Sequence, residues 1–290
     1  MRRFVIATLL VAVSPVLAAP VSFFDSFEYA DGVGDPAYAA NWSVVAGQNR
    51  YPIETRVYQP DVVDPGALDG TKVAMSAIPA PAGGYGISHA MGPVEPTNES
   101  PLVVQANWHH MSLRANRPYV SFAMELSQGD VHAPPIGSAP LASPIPVIAL
   151  GFGMGSPDTN AYSFFDGVSW LDAHMVIPAG YKQWNFQHVT MTFTDLGVPE
   201  TQTGKHLSLH IENHDLTQTG TVQFDLPMPQ AAWTAGEMFD TLSFRAFDGV
   251  SYNSLIDSVS VTGGQIIPEP AALALLGLAV PLMLRRRGEA

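Results

Sequence analysis

Three histidines spaced by four, His206, His210 and His214, are the first residues whose pattern could do chemistry. On a helix such positions share a face and could hold one metal ion. Here Leu207, Leu209 and Ile211 alternate with them, which is the period of a strand. Four residues of strand span about 13 Å, too far for one ion to join two of the histidines. The stripe His206, Ser208, His210, Glu212, His214 then reads as the polar, solvent-facing side of a strand. A second alternating run, Trp184 to Thr194, puts Val189, Met191 and Phe193 on one face. If the two runs form an antiparallel hairpin with Phe193 facing Leu207, His188 lies opposite Glu212 and Thr190 opposite His210. Facing side chains in such a pair touch. The patch of His188, His210 and Glu212 could hold a sugar or a transition metal.

Asn107-Trp108-His109-His110 sets an aromatic beside polar groups. Trp108 is a candidate platform for a sugar ring, as are Trp42, Trp170, Trp184 and Trp233. Burial in the core is the competing reading for each, because Trp is highly buried on average. The chain has no Gly-x-Ser-x-Gly elbow, no His-Glu-x-x-His pair and no phosphate loop. It has no cysteine, so disulfides, thiolate zinc sites and cysteine nucleophiles are excluded.

The elements that must position these residues are strands. The 25 Pro and 25 Gly are scattered and interrupt almost every candidate helix. Between them lie short runs rich in Val, Ile, Phe and Thr. Strands are expected at Ser22–Tyr29, Asn41–Ala46, Thr71–Ile78, Tyr85–His89, Leu102–Arg114, Tyr119–Leu126, Tyr162–Phe165 and Trp170–Ile177. Thr221–Leu226, Phe239–Phe247 and Ser254–Thr262 complete the set. Residues 50–70 read as a long loop. Residues 129–146, with Pro134, Pro135, Pro140, Pro144 and Pro146, read as a surface loop, because strands resume at Val147. The pattern predicts an all-β fold, a two-sheet antiparallel β-sandwich over residues 19–265.

Phe24-Asp25-Ser26-Phe27-Glu28, the Trp184 strand with its hairpin, and Ser254 to Val261 resemble concanavalin-like or laminin-G-like jelly rolls. They also fit the galactose-binding type of jelly roll. The resemblance implies that the first and last strands are neighbours and that the body binds carbohydrate. It further implies a structural Ca²⁺ where those strands meet, with Asp25, Glu28 and Asp257 as ligands and hard oxygen donors of the kind the ion takes. A glycan hydrolase or lyase on the same scaffold is the alternative. It needs two carboxyls flanking the scissile bond, and the Glu-x-Asp-x-x-Glu run of laminarinase-type jelly rolls is absent.

Both ends carry addresses. Arg2 and Arg3 precede an apolar stretch from Phe4 to Val13, and Val16-Leu17-Ala18 offers small residues to signal peptidase, so residues 1–18 read as a signal helix. At the other end, Pro268-Glu269-Pro270 is followed by an apolar run from Ala271 to Leu284 and by Arg285, Arg286 and Arg287. As a helix that run reaches about 21 Å, short of a full bilayer core, with arginines able to snorkel. A basic flank suits the cytoplasmic side. Residues 266–290 resemble the PEP-CTERM sorting signal of Gram-negative bacteria. That resemblance implies an exosortase-type membrane protease as partner, a membrane-anchored intermediate, and delivery to the cell surface or exopolysaccharide matrix.

The formal net charge is −13. Five arginines lie in the two ends, so the body is more acidic still. Nucleic acid is therefore excluded as a partner, since phosphate binding needs clustered Lys and Arg. Together these readings predict an exported, non-enzymatic structural or polysaccharide-binding protein.

Overall fold

The computed structural model describes residues 20–56, 70–75, 83–110, 122–152, 162–172, 187–195, 205–213, 221–227, 239–246 and 254–266. The elements are β1 (Val21–Asp25), α1 (Pro36–Asn41), β2 (Ser43–Val44), β3 (Ile53–Thr55), β4 (Lys72–Met75), β5 (Tyr85–Glu95), β6 (Leu102–His110), β7 (Phe122–Ser127) and β8 (Val147–Phe152). They continue with β9 (Tyr162–Phe165), β10 (Trp170–Asp172), β11 (Gln187–Asp195), β12 (Lys205–Asn213), β13 (Thr221–Pro227), β14 (Phe239–Ala246), β15 (Ser254–Gly263) and β16 (Gln265–Ile266). The leader at 1–18 and the motif, apolar run and arginines from Pro268 to Arg287 lie outside the described residues. Ile266 belongs to the sandwich, in β16.

The strands form two eight-stranded sheets. Sheet A runs β13-β12-β11-β6-β15-β4-β3, with β1 also on β15; sheet B runs β10-β9-β8-β7-β14-β5-β16, with β2 also on β5. Val21 faces Gly263 and Asp25 faces Val259, so the first strand lies beside the last long one. Period-two alternation builds the core. Val104, Ala106 and Trp108 of β6, Val189, Met191 and Phe193 of β11, and Val259 and Val261 of β15 meet Met124, Leu126, Ile148, Leu150, Leu242 and Phe244 of sheet B. Each fully buried large side chain contributes about 1.5–3 kcal/mol relative to exposure.

Two local details differ from expectation for identifiable reasons. The strand expected to reach Tyr29 stops at Asp25, whose carboxylate accepts from the Phe27 N–H at 2.7 Å and turns the chain. Phe27 adopts a left-handed φ of 55° and is fully buried, stacked on Trp42 at 5.4 Å. The short strand expected over Asn41–Ala46 is present in narrower bounds as β2, and α1, which precedes it, was not expected. Asp35 caps the helix by accepting from Ala37 N at 2.8 Å and Tyr38 N at 3.2 Å, and Pro36 occupies its first turn. An Asp-Pro pair of this kind is a helix-start signal.

The Pro-rich segment from Gly129 to Pro146 folds over the outer face of sheet B as a third layer. Val131, Ala133, Leu141 and Ile145 pack with Ala123, Val147, Ala149, Phe165 and Trp170. Prolines lack an N–H, so a covering segment rich in them leaves fewer donors to satisfy. The donors that remain reach Val168 O from Leu141 at 2.8 Å and Gly167 O from Ile145 at 2.9 Å. The Trp170 indole donates to Pro134 O at 2.9 Å.

Candidate functional site

Residues that alternate with the core side chains of sheet A lie on its outer face, and across three rows they are polar apart from Val103 and Phe24. β11 and β12 pair with Phe193 opposite Leu207, a register compatible with their alternation. His188 therefore lies opposite Glu212 and Thr190 opposite His210. The rows extend further than one hairpin. One crosses the sheet as Ser258, Asn107, His188, Glu212, Thr221. The next is Phe24, Ser260, Gln105, Thr190, His210, Gln223. The third is Ser22, Thr262, Val103, Thr192, Ser208, Asp225.

Hydrogen bonds connect the first two rows. Asn107 donates from Nδ2 to Ser258 Oγ at 2.9 Å, and its Oδ1 lies 2.8 Å from His188 Nδ1. An amide oxygen only accepts, so His188 carries its proton on Nδ1. His188 Nε2 is then an acceptor, with Gln105 Nε2 at 3.4 Å. Gln105 also donates to Thr190 Oγ1 at 3.3 Å, and its Oε1 accepts from Ser260 Oγ at 3.4 Å. The network fixes the side chains of the middle strands. At the β1 edge stands Phe24, 69% exposed and directly opposite Ser260. The half-buried Gln105 amide, the Thr190 and Ser260 hydroxyls and the His188 imidazole, with an aromatic ring at one end and buried Asn107 and Ser258 behind them, are a set suited to orienting a polyhydroxylated ligand. His206, Ser208, His210 and Glu212 join the face by register.

The platform reading of Trp108 is overturned. It is 1% exposed and packs edge-on against Phe122 at 4.9 Å, because Ala106 and Trp108 occupy the inward positions of β6. Trp42 is likewise in the core and Trp170 packs under the covering segment. Trp184 and Trp233 lie outside the described residues. The aromatic at the polar face is Phe24, which sequence reasoning missed; an aromatic two positions from Ser22 on the outward phase of β1 was the available signal.

The three carboxylates expected to hold Ca²⁺ do not form a site. Among the described residues no three His, Asp or Glu side chains converge as metal ligands. Asp25 is buried and surrounded by donors: Phe27 N, the Tyr29 hydroxyl, and the Trp42 indole N–H at 2.7 Å. These aim protons where a cation would have to sit. Glu28 instead binds the start of β4, accepting from Thr71 N at 2.7 Å and Lys72 N at 2.9 Å. Burial would raise its pKa, but these backbone N–H groups, the Thr71 hydroxyl and Lys72 outweigh it and hold the carboxyl below its ordinary value. Asp257 is fully buried at an irregularity of β15 between Ile256 and Ser258.

A second polar cluster lies under the covering segment. Glu125, fully buried on β7, pairs with Arg245 of β14 at 3.1 Å and with His132 Nδ1 at 2.8 Å. His132 Nε2 meets Asp130 at 2.9 Å, and Arg245 donates to Ala133 O at 3.0 Å. Burial opposes protonation of His132, but the hydrogen bond and charge of Glu125 outweigh it and raise the imidazole above its ordinary value. Glu125 and Asp130 occupy opposite ring nitrogens, yet the burial of Glu125 removes the pair from any groove that a substrate could enter.

No family model matches the chain, and no curated protein sequence matches it. Solved structures do. A lectin from Bauhinia forficata in complex with GalNAc is 11% identical, covers 86% of this chain and 100% of its own, with a TM-score of 0.51. Basic winged bean lectin with Tn-antigen is 11% identical, with 85% of this chain and 99% of its own covered and a TM-score of 0.50. The body has a lectin-like jelly-roll fold. At these identities the likeness extends to the fold alone.

Proposed function

We propose that this chain is an exported, non-enzymatic surface protein whose sandwich binds polysaccharide on the outer face of sheet A. The observation that carries this reading is the hydrogen-bonded ladder Ser260–Gln105–Thr190 and Ser258–Asn107–His188, flanked by exposed Phe24. Each hydroxyl and amide there can both donate and accept, as sugar hydroxyls require. The lectin-like fold supports a module of this kind, and the solved relatives named above are lectins in complex with GalNAc and with Tn-antigen. Delivery to the surface rests on the sequence of the two ends, with Pro268, Glu269 and Pro270 as the sorting motif.

The test is retention of the purified full-length chain, in detergent, on immobilised glycans and on its producer's exopolysaccharide. Retention that Gln105→Ala weakens, with no release of sugar from the bound polymer, supports the proposal. Failure on every glycan removes binding, and release of reducing ends makes the protein an enzyme. Intact-mass measurement of the secreted form tests sorting separately. A mass that still includes Ala271 to Ala290 refutes removal of the tail.

A further inference from the structure

The polar face has a length and a charge as well as a chemistry, and these narrow the ligand. The row Phe24, Ser260, Gln105, Thr190, His210, Gln223 takes one residue from each of six neighbouring strands. Strands lie about 4.8 Å apart, so the row runs about 24 Å across the sheet. A single sugar would use only a short part of it. The row sets a polar residue on five consecutive strands, from Ser260 to Gln223, and a polymer repeats its hydroxyls in the same way.

Charge decides the class of polymer. The three rows carry no Lys or Arg; their formally charged members at neutral pH are Glu212 and Asp225. Recognition of carboxylate, sulfate or phosphate draws on Arg and Lys donors. Among the described residues of these rows an anionic polymer would meet none, and it would approach a chain whose net charge is −13. Neutral hydroxyls meet partners of the right kind. Gln105 is held with its amide N–H groups toward Thr190 and His188 and its carbonyl toward Ser260, so the middle of the row is preorganised. Phe24, at the edge, supplies a ring face where the polymer leaves the sheet.

The geometry points to a linear, uncharged polysaccharide lying across the strands of sheet A along the Phe24–Gln223 row. This inference rests on the glycan-binding reading above and specifies its ligand. It differs from capture of a terminal sugar, which needs a closed pocket, and from binding of an acidic polymer, which needs cations.

The experiment is isothermal titration of the full-length chain in detergent with cello-, laminari- and malto-oligosaccharides from monomer to hexamer, and with polygalacturonate. The expected result is binding of at least one neutral series, with affinity rising about tenfold or more from dimer to hexamer and little response to added salt. Polygalacturonate should give no heat. Phe24→Ala should weaken the hexamer more than the dimer, and its high exposure makes an unchanged thermal midpoint the expected control. Affinity that is full at the monomer, or preference for polygalacturonate, overturns the linear neutral ligand while leaving glycan binding intact. Absence of binding to every sugar and polymer overturns both.

Discussion

Replacing Arg245 by Met should destabilise the protein far more than loss of a surface ion pair would. Arg245 is the cation that faces the fully buried Glu125 from the neighbouring strand, and its own side chain is 13% exposed. Removing one partner of a buried pair costs about 3–5 kcal/mol, because the remaining charge stays desolvated. Glu125 retains His132 at 2.8 Å, so the lower end, about 3 kcal/mol, is expected while the imidazole is protonated. For a body of this size that corresponds to a fall of about 6–12 °C in the thermal midpoint. The pH dependence follows from His132, whose folded pKa is raised above 6.5 chiefly by Glu125, against burial. A raised His contributes fully below its unfolded pKa, and that contribution is lost as pH rises through the folded value. Arg245 itself holds this value down, so its removal moves the window to higher pH. The variant should therefore lose least near pH 6 and most near pH 9, where neutral His132 leaves Glu125 without a full counter-charge. Urea unfolding followed by tryptophan fluorescence reads this directly, with Trp42 and Trp108 as buried reporters. Adding Glu125→Leu to Arg245→Met should recover most of the loss. A cost below about 1 kcal/mol, as for exposed pairs, or an equal cost at both pH values, would refute the reasoning.

Asp25→Asn should cost about 2–4 kcal/mol, since an amide cannot accept from Phe27 N, Tyr29 and Trp42 as a carboxylate does; denaturant unfolding measures it, and full rescue by Ca²⁺ would restore the metal reading rejected for this site. Gly70→Ala should destabilise by about 1 kcal/mol or more, because Gly70 has φ +78° and an added Cβ would fall 2.2 Å from Glu28 Oε1. A thermal midpoint unchanged from wild type would show that Glu28 does not bind the start of β4 in solution. Gly151→Ala should loosen the layer over sheet B, because its Cβ would meet Ile136 and Trp170 at 2.6 and 2.7 Å. Faster hydrogen exchange across residues 129–146, with β6 and β11 unchanged, is the expected readout.

The candidate site was half legible in the sequence. Alternation of Val189, Met191 and Phe193 against Leu207, Leu209 and Ile211 restricted the β11–β12 register, because a one-residue slip would expose every apolar side chain. The choice of Phe193 opposite Leu207 among the remaining registers was a supposition that the structure bears out. Alternation could not show that β6 and β15 lie beside β11, since those pairings join segments far apart in the chain. Gln105, Asn107, Ser258 and Ser260 were therefore invisible as site residues, and the outward phase of Phe24 on β1 could not be connected to them. Trp108 was misread as a platform because an aromatic among polar neighbours looks exposed until the phase of β6 is fixed by Val104 and Ala106.

What the sequence determined by itself is the all-β class, the two-sheet sandwich and the β11–β12 hairpin. These follow from local periodicity and from Pro and Gly placement, which act over a few residues. Tertiary structure alone decided the fate of the acidic and polar groups. Asp25 became a hydrogen-bond hub because β1 stops beside Trp42, seventeen positions along the chain. Glu125 became a buried ion because Arg245, from a strand 120 positions away, and His132, from the covering segment, converge on it. The protonation and burial of such groups depend on partners that only the folded chain brings within hydrogen-bonding distance.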